Sequence, residues 1–319
     1  MTQIRSLAPQ PRRLGGLGVH SVDHFNFVAP DLKQAQKFYA DFGLDVREEG
    51  DGLGLYTAGC DHRWGRVGEG AGKKLGYLSF GAYAEDLERL RARLRQFGVR
   101  QLDAPRGFES NGIWFRDPDG TLLEIRVAAK SSPNEKAAQS NASSPPGVQG
   151  STPRSKAPFV RPRRLAHVLV FTADVSRGIR FYEDVVGLRL SDRSGDGIAF
   201  LRGIHGSDHH MLALAKSDGP GLHHLSWDVG SFHEVGLGAM QMADRGFSRG
   251  WGVGRHVLGS NYFHYVRDPW GSYSEYSSDI DYVPVDCDWP SADHPGHDAF
   301  YVWGPTPPED FVTNYETAA

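Results

Sequence analysis

The chain repeats itself, and that repetition limits what it can fold into. Leu165-Ala166-His167-Val168-Leu169-Val170 echoes Val22-Asp23-His24-Phe25-Asn26-Phe27, with a histidine third in each. The aromatic pair Phe181-Tyr182 follows His167 at the distance at which Phe38-Tyr39 follows His24. Leu222 to Trp227 echoes Leu75 to Phe80. Arg267-Asp268-Pro269-Trp270-Gly271 through Glu275 echoes Arg116-Asp117-Pro118-Asp119-Gly120 through Glu124. Self-similarity at this period predicts two copies of one fold, each of about 130 residues, an ordinary domain size.

The histidine-bearing stretches alternate like strands. Asp31 can cap a helix carrying Ala35, Phe38 and Tyr39, with Gly43 as its stop. From Glu85 to Phe97, Leu87, Leu90, Leu94 and Phe97 fall at helical spacing before Gly98. Phe232, Val235, Ala239 and Met242 fit a second such helix. The class is therefore α+β. Between the copies, Ser, Pro, Asn, Gln, Ala and Gly replace large apolar residues. Such a stretch buries too little surface to offset its ordering entropy, so a flexible tether is expected. The expected boundaries are a lead-in at 1–18, an N-terminal domain at 19–129, the linker at 130–160, a C-terminal domain at 161–285 and a tail at 286–319.

Composition excludes several roles. A net charge of −4 leaves no basic footprint for nucleic acid. No apolar run can span a bilayer. The N-terminus lacks an apolar signal core, so the cytoplasm is the expected address. Cys60 and Cys287 form no CxxC pair and read as free thiols in a reducing compartment.

The two copies also act as a control on each other. His167, His224 and Glu275 in the second copy align with His24, Tyr77 and Glu124 in the first. Two imidazoles and a carboxylate facing a cavity make a facial triad for a divalent metal, with open positions opposite. Tyr77 is a poor ligand, since a phenol with pKa near roughly 10 stays protonated at neutral pH. The first copy is thus expected to be metal-free and structural. His223 competes with His224, and alignment with Tyr77 favours His224.

The stretch Arg255 to Tyr276 is the most specific. Asp268-Pro269-Trp270-Gly271 predicts a tight turn between two antiparallel strands, placing Tyr265 and Glu275 on neighbours. Gly254, His256, Tyr265, Asp268, Pro269, Gly271 and Glu275 fill the spacing of a known signature; His264 departs from it, standing where an apolar residue is usual. This pattern resembles the type I extradiol ring-cleaving dioxygenases, a branch of the vicinal oxygen chelate (glyoxalase–bleomycin resistance) superfamily.

The resemblance implies paired βαβββ modules in each domain, curled into a barrel-like mixed sheet around a cavity. It implies Fe(II), with Mn(II) as the alternative, held by His167, His224 and Glu275. The substrates would be a catechol-type diol and dioxygen. His210, in Asp208-His209-His210-Met211, matches the acid–base histidine; Arg63 stands at that place in the first copy. Tyr265 would donate a hydrogen bond to a developing oxyanion. His256 would bond a substrate hydroxyl or Tyr265. His209 is expected to face solvent, and His264 the strand's other side. Arg249 and Arg255 lie near enough in sequence to favour an acidic ring, and equally suit the surface. The tail would be a lid or an arm on a neighbouring subunit. A homo-oligomer is expected. Two rivals stand beside this reading: a glyoxalase-like lyase or isomerase, and a ligand-binding protein of the bleomycin-resistance type.

Overall fold

The computed structural model describes residues 12–106, 108, 110–140 and 143–317. Residues 1–11 of the lead-in, 141–142 of the linker and 318–319 of the tail lie outside the described residues.

In chain order the first half runs β1 (Ser21–Ala29), α1 (Leu32–Phe42), β2 (Asp45–Glu49), β3 (Gly52–Tyr56), β4 (Gly65–Glu69), β5 (Lys74–Ala82), α2 (Leu87–Gln96), β6 (Ile113–Arg116) and β7 (Leu122–Val127). The second half runs β8 (Arg164–Thr172), α3 (Val175–Phe181), β9 (Arg189–Ser194), β10 (Ile198–Arg202), β11 (Ser207–Asp208), β12 (Leu212–Lys216), β13 (Gly221–Asp228), α4 (Phe232–Asp244), β14 (Gly250–His256), β15 (Tyr262–Arg267) and β16 (Tyr273–Ser278). The C-terminal domain ends with β17 (Tyr282–Val283), and the tail adds β18 (Ala292–Asp293) and β19 (Tyr301–Trp303).

The first sheet has the order β2-β3-β4-β1-β5-β7-β6, and the second has β18-β9-β10-β12-β8-β13-β16-β15-β14-β19. Both sheets keep two open ends, so neither closes into a barrel. The repeat is visible in the pairing. β1 runs parallel to β4 and antiparallel to β5, and β8 treats β12 and β13 the same way. Two strands of the second half, β11 and β14, have no counterpart among the described residues of the first; where β14 stands, the first half has an isolated bridge, Leu102 to Trp114.

Local signals act as their chemistry predicts. The Asp31 side chain accepts from the backbone N–H of Lys33 and Gln34, and Gly43 ends α1 in the left-handed region at φ 104°. In α2, Leu90 and Leu94 are buried, whereas Phe97 stands at the helix end and is half exposed. At the predicted turn, Asp268 Oδ1 accepts from the N–H of Trp270 and Ser272, and Gly271 takes φ 98°. Tyr265 and Glu275 are then direct cross-strand partners.

The halves share one apolar core. The Phe42 and Tyr276 rings stack at 3.9 Å, and the Tyr276 O–H donates to the Phe42 carbonyl at 2.8 Å. The Tyr182 O–H donates to Asp117 across the same seam at 3.0 Å. The first part of the expected tether is laid onto both halves rather than hanging free. Ser131 Oγ donates to the Val22 carbonyl, and Ser140 N–H donates to the Gly230 carbonyl. Small polar residues that cannot build a core can still satisfy carbonyls at strand ends. Among the described residues no helix is long and apolar enough to cross a membrane, and Cys60 and Cys287 are free.

Candidate metal centre

The register of three adjacent strands gathers the candidate ligands. On β13, Ser226 pairs with His167 on β8 and with Glu275 on β16. His224 lies two residues before Ser226, hence on the same face. His167 Nε2 is 3.2 Å and His224 Nε2 is 3.6 Å from Glu275 Oε2. The three ligand atoms lie within 4.8 Å of one another, and all three residues are buried.

This cluster passes a test of fit for a cation. His224 Nε2 and Glu275 Oε2 are buried with no hydrogen-bond partner among the described residues. An unpaired buried carboxylate oxygen is costly unless something positive meets it. The orientation of His224 follows from its neighbour. His223 Nε2–H donates to the Phe311 carbonyl at 2.8 Å, which leaves His223 Nδ1 to accept from His224 Nδ1–H at 2.7 Å. His224 Nε2 is thereby the lone pair, as a metal ligand requires. Burial, then His223 and His167, hold its pKa well below the ordinary value. Burial pulls the Glu275 carboxyl up, yet the nearby imidazoles of His167 and His256 outweigh it and keep it lowered. Asn261, which the spacing did not single out, donates to Glu275 Oε1 at 3.1 Å and to Ser277.

The vacated copy provides the contrast. Ser79 pairs with His24 and Glu124, as Ser226 does with His167 and Glu275. Here every would-be ligand is occupied. Asp23 takes the His24 Nδ1–H at 2.7 Å, so Nε2 accepts from the Tyr77 O–H at 3.0 Å. Glu124 accepts from the hydroxyls of Ser79 and Ser110. Burial and Glu124 push the Tyr77 hydroxyl up to about 12. The ring nitrogens of His24 and both oxygens of Glu124 thus already have hydrogen-bond partners.

Beside the triad is a cavity of about 470 Å³ inside the curl of the second sheet. His210, His256, Tyr265 and Asn261 line it, with Leu169, Ile198, Phe200, Leu258 and, from the tail, Phe300, Phe311 and Val312. The Tyr265 O–H donates to His256 Nε2 at 2.9 Å, and His256 Nδ1–H donates to the Phe300 carbonyl at 2.9 Å. Burial and the Glu275 charge raise the Tyr265 pKa well above its ordinary value, so the hydroxyl remains a donor. His210 packs on His167 with ring centroids 4.1 Å apart.

One residue, His209, lies elsewhere than the sequence implied. His209 is not solvent-facing: it is fully buried and bonded to Asp192 and His210. A local alternation cannot reveal a partner that comes from another strand. Arg249 and Arg255 do not line the cavity. Arg249 pairs with Asp310, and Arg255 lies over Tyr262. His264 also lies off the cavity, as alternation with Tyr265 predicts.

Comparison with known proteins adds the family context. A family model described as "Glyoxalase/Bleomycin resistance protein/Dioxygenase superfamily" matches residues 21–125 and 164–276. The chain is 48% identical over 315 residues to metapyrocatechase 2 of Cupriavidus necator, covering 98% of this chain and 97% of that protein. An iron-dependent extradiol dioxygenase of Rhodococcus jostii (strain RHA1) is 29% identical over 211 residues, 60% of this chain and 65% of its own. Among solved structures, the Mn(II)-bound glyoxalase from Novosphingobium aromaticivorans superposes with a TM-score of 0.74 at 25% identity, covering 91% of this chain and 93% of its own.

Proposed function

The chain belongs to the glyoxalase/bleomycin resistance protein/dioxygenase superfamily, and we propose that within it the chain is an iron-dependent extradiol dioxygenase. It opens a catechol-type ring beside its hydroxyls and inserts both atoms of dioxygen. His167, His224 and Glu275 hold the metal, with Fe(II) the ion that suits two imidazoles and one carboxylate on one face. Bound there, the ion supplies a seat for two adjacent diol oxygens and access for dioxygen.

The protein's own groups do the rest. His210 takes the diol proton and later returns it. The Tyr265 O–H, oriented by His256, donates to oxygen as negative charge develops there. The tail residues Phe300, Phe311 and Val312 cover the site and keep water away from it.

One observation carries this reading over its rival. Among the described residues that line the cavity, the groups able to exchange protons are histidines, a tyrosine and one lysine, with no carboxylate free to act as a base. The lyases and isomerases of this superfamily that use the metal only as a Lewis acid typically pair it with a carboxylate base. The likeness to a glyoxalase structure keeps that rival worth testing. The pocket also narrows the substrate. Its walls are mostly apolar, and its one lysine, Lys216, already donates to the Ala173 carbonyl. A ring with an alkyl or aryl substituent fits better than one with a carboxylate.

The test is anaerobic reconstitution with Fe(II), addition of catechol or an alkylcatechol, then air. A yellow ring-opened product should appear with matching oxygen uptake, and a carboxylated catechol should react more slowly. Glu275→Gln should lose bound iron. Iron-loaded protein that consumes no oxygen across a catechol panel would overturn the dioxygenase reading.

A further inference from the structure

Two pairs of consecutive histidines lie at this cavity, with His210, His223 and His224 lining it and His209 behind His210, and they are wired alike. In His223–His224 the first ring is anchored to an oxygen, and its Nδ1 meets Nδ1 of the second. The pair His209–His210 repeats the arrangement. His209 Nε2 lies 2.8 Å from Asp192 Oδ2, and the two Nδ1 atoms are 3.0 Å apart. Asp192 in turn is gripped by the tail. It accepts from Trp289 Nε1–H at 3.0 Å, Ala292 N–H at 3.1 Å and His294 Nε2 at 2.8 Å.

The direction of these bonds follows from the carboxylate. Burial acts to raise the Asp192 carboxyl, but its bonds to His209, His294 and Trp289 bring it down to about 2. An ionised carboxylate only accepts. His209 must therefore carry its proton on Nε2. In the neutral ring its Nδ1 is then a lone pair, and His210 must donate from Nδ1. His210 Nε2 makes no hydrogen bond among the described residues, so its lone pair is free for the cavity that His210 lines.

We propose that Asp192 and His209 are positioning residues for His210. They fix the tautomer in which Nε2 is the bare nitrogen, and tail segment 289–294 holds Asp192 in place to do so. The proposal rests on the reading of His210 as the acid–base group. A plain packing role would need neither the two Nδ1 atoms face to face nor four donors converging on one carboxylate. Orienting groups of this kind commonly alter activity by roughly 10- to 100-fold when removed.

Histidine nitrogen NMR on the metal-free protein reads the tautomers directly. His209 should be Nε2–H and His210 Nδ1–H. In His209→Phe, which keeps a ring in place but removes the acceptor, His210 should populate both tautomers. With iron bound, Asp192→Asn and His209→Phe should each lower kcat by roughly 10- to 100-fold, and the double variant by no more. Iron content and anaerobic catechol binding should stay at wild-type levels. An Nε2–H tautomer for His210 in the wild type would overturn the proposal. So would unchanged kcat, or loss of iron in step with kcat. If Asp192→Asn does not fold, the wild-type spectrum and His209→Phe still decide. The spectra need no turnover, so failure of the dioxygenase reading would show separately, as iron-loaded wild type that leaves every catechol intact.

Discussion

At the residue scale the molecule stores many uncharged imidazoles. Burial brings His20, His205 and His264 to about 4 from the ordinary 6.5. A base with a folded pKa below its unfolded one binds fewer protons when folded. Between about pH 4 and 6.5 these rings therefore make stability rise with pH. Asp268 acts the other way. Burial lifts its carboxyl to about 6 from 3.8, so it favours the folded state at low pH, and that contribution fades as pH climbs from 3.8 to 6. Three imidazoles oppose one carboxyl. The melting temperature of the metal-free protein should climb from pH 4 to 6.5, and His205→Gln should flatten the climb. A flat wild-type profile would contradict the burial of these rings. The triad was legible in the sequence because the second copy could be aligned with the first. His209 and Asp192 were not legible, since each is explained only by the other and by tail residues far along the chain.

At the element scale the strands decide what binds. Both halves set a serine between a histidine strand and a glutamate strand, yet only one leaves ligand atoms unpaired. At the position aligned with His224, Tyr77 offers no imidazole, and its O–H donates a hydrogen bond to His24 Nε2. Tyr77→Phe should leave the metal content per chain unchanged. It should cost about 1–3 kcal/mol in chemical denaturation, because a buried imidazole nitrogen loses its partner. A second equivalent of iron in that variant would show that the hydroxyl alone had kept the metal out. The order of elements along the chain and the Asp268 turn were readable because they depend on neighbours in sequence. The missing β14 counterpart was not, since an absent strand gives no periodicity to detect.

At the scale of the whole molecule the two copies are joined as one body. Phe42 lies flat on Tyr276, and Tyr182 reaches the Asp117 turn of the other half. Phe42→Ala should cost about 3–5 kcal/mol, as removal of a buried aromatic does. Calorimetry should show a single transition in the wild type, because the largest core cluster draws on both halves. Two well-separated transitions would mean that the seam matters less than its packing implies. The tail also belongs to this scale. Phe300 and Phe311 offer their carbonyls to His256 and His223, and Trp289 and His294 hold Asp192.

That last arrangement sets an order of events during synthesis. Domains generally fold as they leave the ribosome, N-terminus first. His210, His224 and His256 are translated before the tail residues that settle where their ring protons reside. A nascent polypeptide should therefore pass through a stage with its ligands in hand and its chemistry unready. A late stop codon would release an almost complete protein whose pocket was never finished.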